Sequence, residues 1–144
     1  MSKVISLSAA ESRRALDAAL AKAEELGVTV AIAVVDQAGH LTSVARMDGS
    51  TFMATSMATN KAITSAGSGM FTHEMAGFLA ADPAMLMGMA TQPGLCILPG
   101  GAPIRIDGAI AGAIGVAGAP TAAEQQIALA GVAAAVATPV PAPS

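Results

Sequence analysis

The 144-residue chain has a formal net charge of −3, with 53% hydrophobic and only 12% charged residues, against about 25% charged in an average domain. One domain with a single sizeable core is the expectation at this length. Gly and polar residues interrupt every apolar run before the roughly 18 residues of a membrane span, no basic patch or aromatic platform serves nucleic acid, and the lone Cys96 excludes an internal disulfide or a cysteine-cluster metal site.

Ser8-Ala-Ala-Glu11 has capping-box spacing and opens a helix that ends at Gly27. The polar Ser8–Arg14 stretch stands where a signal peptide needs an apolar core, so a cytoplasmic location is expected. Val28 to Val35 is continuously apolar and reads as a strand buried on both sides. Asp36-Gln-Ala-Gly39 turns the chain, and His40 to Arg46 returns antiparallel. A helix follows from Ser50 to about Ala66, with Met53, Met57 and Lys61 at four-residue spacing, and Gly67-Ser-Gly69 breaks it. Phe71 to Thr91 reads as short helices and loop, with Asp82-Pro83 as cap and first helical position. Leu95 to Leu98 is a short strand. Ala102–Ile106 and Ala109–Val116 pair across Asp107-Gly108, the strongest hairpin signal in the chain. Thr121-Ala-Ala-Glu124 has capping-box spacing again and opens an Ala-rich helix to about Ala137. The domain therefore spans 1–137, and the Pro-rich 138–144 is a mobile tail. Five mainly antiparallel strands packed by N- and C-terminal helices make an α+β domain.

So apolar a small domain would expose large apolar patches as a monomer, which implies a homo-oligomer. Six of the seven basic residues lie at or before Lys61. An anion site in the core must then draw on Arg46, Lys61 and Arg105. Lys61, with Met57, Thr64 and Ser65 as neighbours on its helix face, is either a snorkelling surface residue or a cation poised for a carboxylate or carbonyl oxygen. Arg46 either holds such an oxygen or ties down the strand end through Asp48 or Asp36. Gly100 and Gly101 supply turn conformations or a backbone amide nest for a ligand oxygen. His40 and His73 are the only histidines. Neither has a metal-site partner in spacing, but one histidine suffices for a general base or an axial haem ligand.

Five ordered motifs carry a resemblance: Ala33-Val-Val-Asp36-x-x-Gly39-x-Leu41, Arg46-Met-Asp-Gly49, Lys61-Ala-x-Thr64-Ser65, Pro99-Gly-Gly-x-Pro103-Ile104 and Gly112-Ala-Ile-Gly115-Val-x-Gly118. The chain resembles the GlcG/HbpS-like family, which includes haem-binding HbpS-type proteins and the C-terminal domain of some corrinoid adenosyltransferases. The resemblance implies a profilin-like sandwich around a five-stranded antiparallel sheet, symmetric oligomers, and haem binding or breakdown in some members. The chain departs from the family pattern at Ala117, where a serine is usual, and at Glu124, where an aspartate is common. Either change can remove a hydrogen bond near the ligand pocket.

Three functions follow as expectations. The first is an enzyme of small-molecule catabolism, a hydrolase, isomerase or lyase without a redox cofactor. In it Lys61 or Arg46 holds an oxygen, Asp48 or His73-Glu74 moves a proton, and Gly100, Gly101, Pro103, Thr64 and Ser65 contact the ligand. The second is a haem- or corrinoid-binding protein with His40 or His73 as axial ligand. The third is a structural or regulatory oligomer. No metal site is expected in any of them beyond the iron of a bound haem.

Overall fold

The computed structural model describes residues 3–137; the expected tail lies outside the described residues. Helix α1 (Ala9–Leu26) starts at the Ser8 capping box and stops at Gly27, whose left-handed backbone closes the last turn. Strands β1 (Ala31–Asp36) and β2 (Leu41–Arg46) form the first hairpin. The Asp36 carboxylate shapes its turn by accepting the N–H groups of Ala38 and His40, each at 2.9 Å.

Helix α2 (Phe52–Ser68) runs through Gly67, and Gly69 is the residue that ends it. Helices α3 (Thr72–Ala80) and α4 (Pro83–Ala90) fill the middle of the chain. Asp82 caps α4 by accepting the Met85 N–H, and Pro83 takes the first turn. Strands β3 (Gly101–Ile106) and β4 (Ala109–Ala117) pair across Asp107 and Gly108, whose φ values of 51° and 81° suit a tight two-residue hairpin turn. Helix α5 (Thr121–Val136) closes the fold.

The sheet is antiparallel with order β2-β1-β4-β3. It has four strands where the sequence predicts five, because Leu95–Leu98 forms no ladder. Its backbone groups are engaged locally: Leu95 N–H donates to Gln92 O, and Cys96 N–H donates to Thr64 Oγ1. A fifth strand beside β3 would also meet Pro103, which has no N–H to give and is at home on an edge.

Both faces of the sheet are covered, which is why β1 reads as a continuous apolar run. Ile32 and Val34 join Ile104, Ile114 and Val116 in the main core under α1 and α5. The alternate residues Ala31, Ala33 and Val35 face α2 with Ala113 and Ala117. Side chains on the α2 side are mostly alanine, so that helix lies close against the sheet. Among the described residues, no helix is long and apolar enough to cross a membrane.

Candidate functional site

A cleft of about 150 Å³ opens beside the start of α5. Phe71 and His73 line it from the start of α3, Gly100 and Gly101 from the entry to β3, and Gln125, Ala128 and Leu129 from α5. Its walls are therefore apolar, with one imidazole and one carboxamide. His73 is exposed, and its Nδ1 lies 3.2 Å from the Gln125 Nε2 position. The amide of Gln125 can present either an N–H or its oxygen to that ring nitrogen. In the second arrangement Nδ1 carries the proton and Nε2 keeps a free lone pair. The Phe71 ring packs beside the imidazole, with centroids 5.4 Å apart.

Lys61 lies behind the cleft rather than in it. Its side chain is fully buried, and Nζ donates to Glu124 Oε2 and to Val116 O, both at 2.8 Å. It neither snorkels nor faces open space. Glu124 overturns the second capping-box expectation, because α5 begins after Pro120 with no side-chain cap. Oε1 of Glu124 accepts the N–H groups of Gly118 and Ala119 instead, at 3.1 and 3.3 Å. Glu124 thus makes hydrogen bonds of its own behind the cleft.

Gly100 and Gly101 line the cleft but do not form an open amide nest. Gly101 N–H donates to Thr72 Oγ1 at 2.9 Å. A Cβ on Gly101 would lie 2.5 Å from the Thr72 methyl and 2.7 Å from Lys61 O. Close packing against α2 and α3 therefore dictates glycine at this position. Gly100 has φ +121° and is held against the ion pair, as described below.

The other predicted residues lie elsewhere. Arg46 and Asp48 are exposed at the end of β2 and in the turn after it, and Arg46 forms no ion pair among the described residues. His40 is exposed in the β1–β2 turn, and none of these three lines the cleft. Glu74 is exposed next to His73 without lining it. Thr64 donates to Asn60 O and accepts from Cys96, which fastens the segment after α4 to α2. Ser65 is buried with its hydroxyl unpartnered, and Pro103 is buried in β3. Arg105 donates to Gly108 O and Gly69 O, linking the second hairpin to the end of α2. Among the described residues, no three His, Cys, Asp or Glu side chains gather as a protein-ligated metal ion would need.

Sequence reading missed Phe71, Thr72, Gln125, Ala128 and Leu129 as neighbours of the site, and it placed Glu124 near the pocket without pairing it with Lys61. One signal was available for Glu124. A lysine buried in the core needs a counter-charge, and Glu124 is the only acidic residue after Asp107.

Comparison with known proteins agrees with this architecture. Residues 7–133 match the family described as haem degrading protein HbpS-like. A 15.0 kDa protein from the dhaT–dhaS intergenic region of Citrobacter freundii is 32% identical over 119 residues, covering 81% of this chain and 82% of its own. The crystal structure of a double mutant of Streptomyces reticuli HbpS superposes with a TM-score of 0.84 at 35% identity, covering 92% of this chain and 89% of that one. The structure of a PduOC:haem complex superposes with a TM-score of 0.81 at 26% identity, covering 90% of this chain and 95% of that one.

Proposed function

This chain belongs to the HbpS-like family, and from that premise we propose that it binds haem at the α3–α5 cleft with His73 as the iron ligand. The observation that carries the reading is the His73–Gln125 contact at the mouth of an apolar cleft. A hydrogen-bond partner on one ring nitrogen fixes the ring and leaves the other nitrogen for a metal. The family's description and the haem complex of one relative support the choice of ligand.

The residues present fit such a group. Phe71, Ala128 and Leu129 offer apolar contact to a porphyrin face, and the glycines leave the cleft floor free of side chains. A cleft of about 150 Å³ is smaller than the roughly 300–1,000 Å³ that encloses a drug-sized ligand. A haem held by these residues would be only partly enclosed. No Lys or Arg lines the cleft, so the propionates would face water. Bound haem would supply an iron centre whose further reactivity depends on what reaches its open face. The chain's own part is to supply the imidazole, hold it through Gln125 and shield one face from water.

The reading as a cofactor-free enzyme needs Arg46 or Lys61 at the ligand, and neither cation lines this cleft. Exposed Leu129, with exposed Phe78 and Met87 on α3 and α4, supports assembly into a homo-oligomer, which sedimentation at micromolar concentration would check.

Titration of the purified protein with hemin, followed in the Soret region, tests the haem reading. Saturable binding is expected, with His73→Ala weakening it more than about tenfold and His40→Ala leaving it unchanged. Absence of a Soret shift in the unmutated protein, or unchanged affinity in His73→Ala, would overturn it.

A further inference from the structure

The buried Lys61–Glu124 pair ties the start of α5 to α2 and β4, directly behind the cleft. Glu124 joins α5 to Lys61 of α2, and through Oε1 it holds Gly118 and Ala119, the residues that lead from β4 into α5. Lys61 also holds Val116 O of β4, while Val116 N–H donates to Gly100 O at 3.0 Å. Gly100 is pressed onto the pair. A Cβ there would lie 2.5 Å from Val116 O, 2.8 Å from Glu124 Oε2 and 3.1 Å from Lys61 Nζ. The first turn of α5 has no side-chain cap of its own, and Glu124 is the side chain near its start that reaches both α2 and the residues leading into the helix.

Gln125 follows Glu124 directly. Successive residues on a helix differ by about 100° in direction and about 1.5 Å in height. Anchoring Glu124 inward on Lys61 therefore sets where Gln125 points, and Gln125 meets His73. A buried ion pair is a poor source of net stability, since apolar residues of similar volume often serve as well. It does fix direction, because both carboxylate oxygens are committed to partners.

We propose that Lys61 and Glu124 are positioning residues for the cleft: the pair sets the rotation of α5 and thereby the hydrogen bond through which Gln125 orients the His73 ring. Its consequence for haem rests on the reading of His73 given above, but its test does not.

The chain has two histidines, so side-chain ¹⁵N spectra of histidine-labelled, ligand-free protein report each tautomer ratio separately. His40, exposed in the β1–β2 turn, is the internal reference. A net hydrogen bond of ordinary strength moves such a ratio by at least about twofold. Gln125→Ala should abolish that bias at His73 and leave His40 unchanged. Glu124→Ala strands a buried ammonium and can unfold the domain, so the decisive variant is the double Lys61→Met/Glu124→Met. It removes both charges, keeps apolar volume and frees the α5 entry. A folded double variant should lose at least half of the His73 bias. Should it fail to fold, Glu124→Gln, which keeps the shape and removes the charge, is read in the same way. A folded variant of either kind that keeps the His73 ratio would overturn the proposal, and so would a Gln125→Ala spectrum identical to that of the unmutated protein. Hemin titration is a separate readout. If no haem binds, the ligand assignment falls while the histidine spectra still decide the positioning role. If haem binds, the double variant should weaken it about tenfold.

Discussion

Gly115 of β4 and Ala58 of α2 meet backbone to backbone. A Cβ on Gly115 would collide with the Ala58 carbonyl oxygen and would lie 2.7 Å from the Ala62 nitrogen. The contact sets the distance between α2 and the sheet, and hence the depth at which Lys61, three residues along the helix from Ala58, reaches Val116 and Glu124. The alanines at positions 31, 33, 54, 58 and 117 serve the same approach.

Gly115→Ala should therefore be costly. Overpacking a tight core typically costs about 1–3 kcal/mol, and here the obstacle is backbone, which yields less than a side chain. A Cβ on Gly77, in the middle of α3, would meet nothing within 4 Å. Gly77→Ala should stabilise by about 0.5–1 kcal/mol, because glycine is the poorer helix former. Urea unfolding of the two variants should move the midpoint in opposite directions.

The two ion pairs found among the described residues should respond very differently to loss of their lysine. Lys61→Met leaves the Glu124 carboxylate buried with no cation, which typically costs about 3–5 kcal/mol. Adding Glu124→Met should recover most of that loss. Lys22→Met breaks the solvent-facing pair with Glu25 and should cost less than about 1 kcal/mol. Chemical denaturation of the four proteins gives the comparison directly, and a Lys61→Met penalty as small as that of Lys22→Met would contradict the burial of the pair.

At the start of α1, Ser8 N–H donates to Glu11 Oε1 at 2.8 Å, and Glu11 N–H donates to Ser8 Oγ at 3.1 Å. The Ser8 backbone N–H and then its hydroxyl hold the Glu11 carboxyl below its ordinary value, against an opposing effect of burial, with Arg14 adding the least. A carboxyl lowered by folding stabilises the fold at pH values above its unfolded pKa of about 4.3. That contribution is lost as pH falls through the lower folded value. Glu11→Gln should thus lower Tm at pH 7, and the difference from the unmutated protein should close in more acidic buffer. Ser8→Ala should cost about 1 kcal/mol at neutral pH.

What could be read from the sequence was local chemistry. The Ser8 box, the Asp107-Gly108 turn and the Asp82-Pro83 start each depend on residues within a few positions of one another, and each forms. Thr121-Ala-Ala-Glu124 has the same spacing as the Ser8 box and does not form, because Glu124 has a stronger claimant in Lys61, 63 residues away in sequence. Leu95–Leu98 fails for a related reason. An apolar run becomes a strand only beside a free edge, and the segment is fastened to Thr64 instead. The cleft joins residues 52 positions apart at His73 and Gln125, a relation that no short pattern encodes. Lys61, His73, Gly100 and Gly101 stand out in the sequence as residues needing explanation, but Lys61 turns its charge inward.

Helix α4 contributes no buried residue, and only one charged residue, Asp82, lies between Glu74 and Arg105. Before this stretch lie α1, α2 and the β1–β2 hairpin; after it lie the β3–β4 hairpin and α5. The sheet is completed only where β1 joins β4. A chain severed within α4 should accordingly survive as two fragments joined along that strand pair and through the packing of α5 on α1 and of β4 on α2, whereas either fragment made alone would present a bare apolar strand to water and aggregate. Co-expression of the halves as separate polypeptides should reconstitute one soluble particle, which makes α4 the natural place to split this protein or to insert a foreign sequence.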